Sequence, residues 1–467
     1  MCVGSVKKFF KRLRERDALA WFVVLIIAVH LAFLVFSPVF RYGDDMRYFA
    51  TAKTIALTGD LAPKYEMFGG TPFYGPPLIE YVLTFLYFVS FGNNYLWFFL
   101  GKIFEMAMFF GSLLLVYKFA GKFNLSKSEK IVALGFFSFL PISIYTSVSV
   151  MQDMVLTFFT LLLFWLLSKE KQNYALIGIV SGVVMLSKFT GVLSIFATLL
   201  AMLLMKNDKK TKAILIVSII LGSALISGFW YYRNFLVFGN PIYHVGYSSY
   251  ATPIVSESLQ NKIVNGYLSF WGIVPFSKIS DKLVLDENLV ALLGTASGLF
   301  FLPVVLLFFK GLQKKWKRVA SLIPFIVVFS LFSFGYITLI AYAQERFFLP
   351  ALGVFSIVVA LACKDRKIFT YMFVCFAAFL LIAGITTEFM LKKEISYRNS
   401  LERINAELGT PVLQKDDFDL RIMENLFFNI NANTSEKITC NAEKNGYVSF
   451  CKSEKFIFRD FFTSGTS

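Results

Sequence analysis

The stretch Ala18–Pro38, ALAWFVVLIIAVHLAFLVFSP, decides the fold of this chain. A helix needs about 20 apolar residues to cross a bilayer, and this run contains no acidic residue, lysine or arginine. A basic segment at 1–17 precedes it, as in a secretory signal, but the run is too long for a signal core and no small-residue cleavage site follows. The sequence therefore predicts an uncleaved first span with a cytoplasmic basic N-terminus.

The composition is typical of a membrane protein. Of the 467 residues, 57% are hydrophobic and 18% aromatic, whereas soluble domains are about 45–50% apolar. The net charge of +16 would suggest nucleic acid as a partner of a soluble protein, but basic residues of membrane proteins collect in cytoplasmic loops. We therefore expect membrane lipids, and no nucleic acid, around this chain.

Further apolar runs predict an all-α polytopic membrane protein with about eleven transmembrane helices. The runs lie near residues 18–38, 95–119, 129–147, 154–168, 173–187, 189–205, 212–230, 288–309, 318–343, 346–363 and 367–391. One more run, at 76–92, would reverse the orientation of everything after it if it crossed the membrane. If it lies flat as an interfacial helix in the first external loop, every strongly basic loop faces the cytoplasm, as the positive-inside bias expects.

This topology divides the chain into a transmembrane domain at 18–391 and a small external C-terminal domain at 392–467. The transmembrane domain carries two large external loops, at 39–94 and 231–287. We expect the protein in the plasma membrane, with its C-terminus outside the cytoplasm.

The tail has the composition of an ordinary soluble segment. Leu401, Ile404 and Leu408 are spaced as on a short amphipathic helix. Cys440 and Cys451 could pair in an oxidising compartment or remain two thiols. Asn433-Thr434-Ser435 has the form of an N-glycosylation sequon.

Charged residues mark the external ends of the predicted spans. The first loop begins Arg41-Tyr42-Gly43-Asp44-Asp45-Met46-Arg47-Tyr48, where two carboxylates beside a guanidinium could form a base, a metal ligand or only a solvated turn. The candidates at the other external ends are Asp153, Lys188, Arg233 and Arg346. Together these residues could surround one outward cavity.

Three of the later candidates also have a structural explanation. Asp153 at a helix N-terminus gains from the helix dipole, Lys188 could snorkel towards the interface, and Arg346 could pair with Glu345 at the surface. The chain has only two histidines and no CxxC pair or HExxH motif. No cofactor is certain from this pattern, although Asp44 and Asp153 could hold a divalent cation.

Several short motifs resemble the class C glycosyltransferases, in particular the branch of protein O-mannosyltransferases and lipid A aminoarabinose transferases. In the first loop these are the acidic pair, Thr58-Gly59-Asp60 and Phe73-Tyr74-Gly75-Pro76-Pro77-Leu78. Later matches are Tyr145 to Asp153, Gly178, Gly182, Lys188 to Gly191, Trp230 to Asn234, Gly239 to Tyr243 and Glu345 to Pro350. Tyr74 and Gly75 depart from both branches, which carry Glu-Lys or His before the two prolines, so neither substrate follows.

The resemblance implies an enzyme that transfers a monosaccharide from a polyprenyl or dolichyl phosphate to an external hydroxyl of a protein, lipid or polysaccharide. Asp44, supported by Asp45, would be the base for an inverting attack on the anomeric carbon. The residues implied in substrate binding are Arg47, Tyr48, Asp153, Lys188, Arg233 and Arg346, the cations serving the leaving phosphate.

Two other functions remain open on the sequence. A transporter or flippase for lipid-linked glycans would share the basic inside loops, but transporters place polar residues at mid-membrane and often show repeats. A scaffold subunit would keep the fold without catalysis. The gathering of charge at the outer edge favours the enzyme.

Overall fold

The computed structural model describes residues 2–36, 44–65, 71–205, 207–243, 320–340 and 345–362, together with three strands of the tail and the isolated positions 306, 309 and 313. Most of the spans predicted at 288–309 and 367–391, most of the second external loop, the Leu401 helix and Asn433 lie outside these residues. The number of spans and the domain boundaries therefore stay predictions.

The described residues are mostly helical. The helices are α1 (Cys2–Phe36), α2 (Asp44–Thr58), α3 (Leu78–Val89), α4 (Asn94–Lys122), α5 (Lys127–Phe139), α6 (Pro141–Ser147), α7 (Gln152–Leu167), α8 (Tyr174–Ser187), α9 (Gly191–Leu204), α10 (Lys209–Phe238), α11 (Ile323–Ile340) and α12 (Leu349–Ala362). Short 3-10 turns at Ala320–Leu322 and Glu345–Phe348 precede α11 and α12.

Three of these helices contain segments that are long and apolar enough to cross a membrane, Ala18–Val35, Leu96–Lys122 and Lys209–Phe238. Shorter apolar helices lie in five further predicted spans, at Gln152–Leu167, Tyr174–Ser187, Gly191–Leu204, Ala320–Phe332 and Arg346–Leu361. This is the pattern of a polytopic membrane fold. The helix α3 has 12 residues and is about 18 Å long. Helices α8 and α9, at 14 residues each, also fall short of the roughly 30 Å apolar core of a bilayer, so the interfacial position of α3 stays a prediction.

The span predicted at 129–147 is two helices, so this prediction was wrong in its continuity. Helix α5 ends at Phe139, Leu140 is extended with φ −62° and ψ 135°, and α6 starts at Pro141. The pyrrolidine ring disfavours the helical conformation in the residue before it. Proline is, in contrast, well accepted at the first position of a helix, so α6 begins where α5 must stop.

Helix α10 is longer at its C-terminus than the predicted span at 212–230. It continues to Phe238 and ends at Gly239, which adopts the left-handed conformation with φ +68°. Glycine takes this conformation at no steric penalty and is the usual residue at such an end. Trp230 to Asn234 are therefore helical rather than part of an external loop, and they project their side chains with helical periodicity.

Two compact units divide the chain. The first comprises Met1–Val35, Tyr74–Leu78 and Phe104–Gly384, and the second comprises Phe36–Phe73, Ile79–Ile103 and Ile385–Ser467.

The first unit has a phenylalanine-rich core to which α4, α5, α7, α11 and α12 contribute. His30 makes polar contacts within this core. It is fully buried and stacks on Phe109 at a centroid distance of 4.0 Å. Its Nδ1 lies 2.8 Å from Ser147 Oγ and its Nε2 3.1 Å from Ser138 O. Because α5 ends at Phe139, the Ser138 carbonyl has no partner one turn ahead, and His30 meets this need.

In the second unit, α2 packs through Phe49 against the start of α4. The Phe49 ring meets Trp97 and Phe98 edge-on at 4.9 and 4.6 Å. Trp97 Nε1 donates to Leu83 O in α3 at 2.8 Å. A two-residue ladder joins β1 (Lys64–Tyr65) to β2 (Thr71–Pro72) in the loop between α2 and α3.

The described part of the tail is a three-stranded antiparallel sheet in the order β3 (Thr439–Ala442), β4 (Ser449–Lys452), β5 (Ile457–Asp460). Cys440 and Cys451 are direct partners across β3 and β4. Directly opposed residues of an antiparallel pair have Cα atoms about 4.5–5.5 Å apart, which lies within the range that a disulfide bridges.

We predict that Cys440 and Cys451 form a disulfide when the tail lies in an oxidising compartment. Mass tagging of the denatured chain with a polymer maleimide should then label three of the five cysteines before reduction and all five after it. A Cys440→Ser, Cys451→Ser double variant should give three labels in both conditions. Five labels before reduction, in protein isolated under acid quench, would contradict the pairing.

Candidate active site

Asp153 lies in the first turn of α7 and is 2% exposed. Its Oδ1 accepts a hydrogen bond from Lys188 Nζ at 2.5 Å. A buried carboxylate is stable only with a cation or hydrogen-bond donors beside it. Asp153 thus has a specific charged partner, and the helix dipole is not its only stabilising contact.

Lys188 comes directly after α8, where the chain turns sharply into α9. The residue is extended, with φ −163° and ψ 154°, and is 4% exposed. Gly191 N donates to Lys188 O at 2.8 Å to close the turn. A Cβ atom at Gly191 would collide with Val184 O, so the turn requires glycine. Beyond this turn the Lys188 ammonium donates to Asp153, so the side chain does not snorkel to the interface.

Arg346 approaches the same carboxylate from the 3-10 turn before α12. Its Nε lies 3.9 Å from Asp153 Oδ2, and its side chain is 17% exposed. Its Nη1 is 3.4 Å from Met151 Sδ. The Phe347 ring beside it also faces the Lys188 ammonium, at 4.2 Å from the ring centroid. The surface pair with Glu345 that the sequence left open is thus not needed to explain Arg346.

The structure therefore brings together Asp153, Lys188 and Arg346, three of the residues predicted from sequence. One negative and two positive groups leave this centre with a net charge of one positive. Asp153 Oδ2 is buried and has no hydrogen-bond partner among the residues that the structure describes. A carboxylate oxygen in this state can accept a hydrogen bond from a bound hydroxyl or coordinate a hard cation.

Close packing of α8 on α10 fixes the end of α8 that precedes Lys188. A Cβ atom added to Gly178 would lie 2.8 Å from Ser218 O, and one added to Gly182 would lie 2.8 Å from Gly222 O. Gly222 in turn faces the backbone of Gly178. Small residues let helix backbones approach in this way inside membranes. Near the end of α8, Tyr231 Oη donates to Met185 O at 2.8 Å.

Arg233 lies five residues before the end of α10, with an aromatic ring on either side of it in sequence. Its guanidinium carbon is 5.1 Å from the Trp230 ring centroid and 5.7 Å from that of Phe238. Its Nη1 donates to Asn234 Oδ1 at 2.9 Å. Such contacts hold the guanidinium in a defined orientation.

The first-loop candidates belong to the second unit. Asp44 and Asp45 begin helix α2, and their side chains lie outside the described part of the chain. The Arg47 guanidinium lies 5.0 Å from the centroid of the Tyr48 ring, which is 3% exposed. Further along α2, Lys53 is 4% exposed, and burial lowers the pKa of its ammonium.

Three residues of the site escaped the sequence analysis. Glu105, fully buried in α4, accepts from Met151 N at 3.2 Å through Oε1 and so holds the segment that leads to Asp153. A carboxylate within a predicted span was the available signal, because such residues are rarely without function. Gln152 and Asn234 gave no such signal, since a neutral amide beside a charged residue is common in any protein.

Residues 74–232 match the family model described as dolichyl-phosphate-mannose-protein mannosyltransferase, which covers about a third of the chain. The matched segment includes Asp153 and Lys188, and it ends just before Arg233. No curated protein is significantly similar to the whole sequence.

Solved structures share the fold at low sequence identity. ArnT from Cupriavidus metallidurans bound to undecaprenyl phosphate superposes with a TM-score of 0.53 and 13% identity, over 83% of this chain and 73% of that one. The same protein in the apo state gives a TM-score of 0.50 and 14% identity, over 76% of this chain and 62% of the other.

A third match, the oligosaccharyltransferase of Archaeoglobus fulgidus in complex with Zn and sulfate, has a TM-score of 0.44, 14% identity and coverage of 80% of this chain and 52% of the other. The present chain thus spans under two thirds of two of these structures. The resemblance to class C glycosyltransferases that the external motifs indicated is confirmed by the family match and by the fold shared with ArnT.

We predict that Gly222→Ala weakens the packing of α8 on α10, because the new methyl group would enter the backbone of Gly178. Overpacking of this kind destabilises a protein by about 1–3 kcal/mol, which a lower midpoint of thermal unfolding in detergent should report. Gly228→Ala on the same helix is the matched control, since a Cβ there meets nothing within 4 Å. Equal midpoints for the two variants would contradict the close approach.

Proposed function

We propose that this chain, with its class C glycosyltransferase fold, moves a monosaccharide from a polyprenyl-phosphate carrier to an acceptor hydroxyl outside the cytoplasm. The observation that carries the proposal is the centre of Asp153, Lys188 and Arg346, the first two of which lie within the residues that match a mannosyltransferase family. The net positive charge of this centre suits a lipid-linked phosphate. Protein, lipid and polysaccharide acceptors all fit the proposal, and the sugar is either a hexose or a pentose.

In the proposed reaction the acceptor oxygen attacks the anomeric carbon from the face opposite the phosphate, which inverts that centre. The new bond joins the acceptor oxygen to the sugar, and the bond from the anomeric carbon to the phosphate oxygen breaks with its electron pair. Asp44 takes the acceptor proton as general base. Asp45 and Arg47 orient Asp44 or the acceptor. Tyr48 lines the binding site in this proposal.

Cations stabilise the charge that develops on the departing phosphate. Lys188 and Arg346 do so from the centre around Asp153, and Arg233 adds a third positive group. Preorganised charges in a site that excludes water contribute most to such a step. Since phosphate is a good leaving group, the reaction requires no acid to protonate it.

Asp153 has two proposed roles, one for each carboxylate oxygen. Oδ1 holds the Lys188 ammonium, while Oδ2 accepts from the acceptor hydroxyl or takes a divalent cation. The described residues contain no group of three or more His, Cys, Asp or Glu side chains that could hold a metal ion by themselves. Asp44 and Asp153 each stay a candidate protein ligand, and water or substrate oxygens would complete the coordination of a hard cation.

We predict that Asp153→Asn and Asp44→Asn each lower sugar transfer at least about 100-fold, because one removes the charge that organises the centre and the other removes the base. The assay is transfer from radiolabelled polyprenyl-phosphate sugars to endogenous acceptors in membranes that express each variant. Asp208→Asn is the matched control, since Asp208 is an exposed N-cap of α10 and asparagine caps a helix equally well.

A double variant separates chemistry from folding. Asp153→Asn alone leaves the buried Lys188 ammonium without its counter-ion, whereas Asp153→Asn with Lys188→Gln removes both charges. The double variant should regain thermal stability but not activity. Full activity of well-expressed Asp153→Asn would show that the centre takes no part in the mechanism. If the wild type transfers no sugar from any donor, a transporter of lipid-linked glycans becomes the favoured function.

A further inference from the structure

A short segment of the first unit that is neither helix nor strand, Tyr74-Gly75-Pro76-Pro77, is held by two side-chain amides from different helices. Gln152 Nε2, at the start of α7, donates to Pro76 O at 3.0 Å. Asn234 Nδ2, near the end of α10, donates to Tyr74 O at 2.9 Å. We call this segment the strap. Both amides are buried, with Gln152 4% and Asn234 2% exposed.

The strap depends on these amides because of its composition. Pro76 and Pro77 lack backbone N–H groups, so neither can donate to a sheet ladder. Buried carbonyl groups nevertheless need donors. Gln152 and Asn234 supply them for Pro76 and Tyr74, and thereby fix where the strap lies against α7 and α10.

Each amide is also adjacent in sequence to a charged residue of the proposed site. Gln152 precedes Asp153, and Asn234 follows Arg233. Asn234 uses both ends of its amide, since Nδ2 donates to Tyr74 O while Oδ1 accepts from Arg233 Nη1. These partners determine the orientation of the amide, because a carbonyl only accepts and a guanidinium only donates.

The strap sets the spacing between the two pairs of neighbours. Tyr74 and Pro76 are two residues apart, so their carbonyl groups are separated by about 7 Å at most. The pair of Arg233 and Asn234 must therefore lie close to the pair of Gln152 and Asp153. This brings Arg233 into the neighbourhood of the centre around Asp153.

We infer that Gln152 and Asn234 are positioning residues, which use the strap to hold Arg233 at the phosphate-binding side of the Asp153 centre; this rests on the proposed function. When the sugar leaves, the phosphate diester with one negative charge becomes a monoester that approaches two. Asp153, Lys188 and Arg346 together supply one net positive charge, and Arg233 supplies the second. The amides thus favour the state in which the bond to the phosphate is broken.

The test compares Asn234→Leu and Gln152→Met with wild type in the full-length protein. Each variant should lower kcat about tenfold, the scale of one lost buried hydrogen bond, and should weaken inhibition by the product polyprenyl phosphate more than it raises the KM for the sugar donor. The kcat of Asn234→Asp should fall between those of wild type and Asn234→Leu. This variant keeps an acceptor for Arg233 but places a carboxylate oxygen against Tyr74 O.

Gln172→Met is the matched control. Gln172 Nε2 donates to Leu167 O at 3.0 Å, a bond of the same kind beyond the other end of α7, and its loss should leave kcat and product inhibition unchanged. In an Arg233→Gln background, Asn234→Leu should add little further loss, since residues that act through each other are not additive. All variants should be monodisperse by size-exclusion chromatography.

Three outcomes separate the possibilities. If wild type transfers sugar and the amide variants match Gln172→Met, the inference falls while the proposed function stands. If Asn234→Leu loses its full factor even without Arg233, the amide does not act through that residue and the inference is overturned. If wild type transfers no sugar from any donor, the proposed function fails and the inference fails with it.

Discussion

Asp153 and Lys188 carry opposite charges, and both residues are buried. Asp153 is 2% exposed and Lys188 is 4% exposed. Moving either ion out of water alone costs several kcal/mol, and only a close partner offsets that penalty. The first turn of α7 and the turn after α8 are therefore bound to remain adjacent. Arg346 joins the same carboxylate at 3.9 Å, which adds the start of α12 to this arrangement. Separate segments of the chain thus meet at one carboxyl group.

A close backbone contact supports the ion pair from one side. Within a bilayer the hydrophobic effect does not drive helices together, and packing at short distance must do so. Gly178, Gly182 and Gly222 let α8 and α10 approach until backbone meets backbone. The same pair of helices then meets again where Tyr231 binds the Met185 carbonyl. This places Lys188 with the precision that a 2.5 Å bond to Asp153 requires.

The sequence predicted those parts of the molecule that depend on local composition. Runs of apolar residues indicated the helices, and charges at the ends of those runs indicated Asp153, Lys188 and Arg346. Pro141 carried a local signal for a break between two helices, and Gly239 carried one for the end of a helix. Hydropathy averaged over a run of residues does not detect such single positions.

The roles of Gln152 and Asn234 could not be predicted, because they depend on carbonyl groups that are 76 and 160 residues away in the chain. Pairing of that kind is a property of the folded state. The roles of Asp44 and Asp45 stay predictions, since their side chains lie outside the described residues.

Asp153 and Asp44 have separate roles in the proposed enzyme. Asp153 lies between two cations, with Oδ1 accepting a hydrogen bond from Lys188 Nζ and Oδ2 3.9 Å from Arg346 Nε. Without it, Lys188 and Arg346 would face each other as buried like charges before any phosphate arrived. We therefore propose that its first function is to hold this positively charged site together before the phosphate binds. The role of base is proposed for Asp44, at the start of α2 and after the first span, on the family resemblance alone.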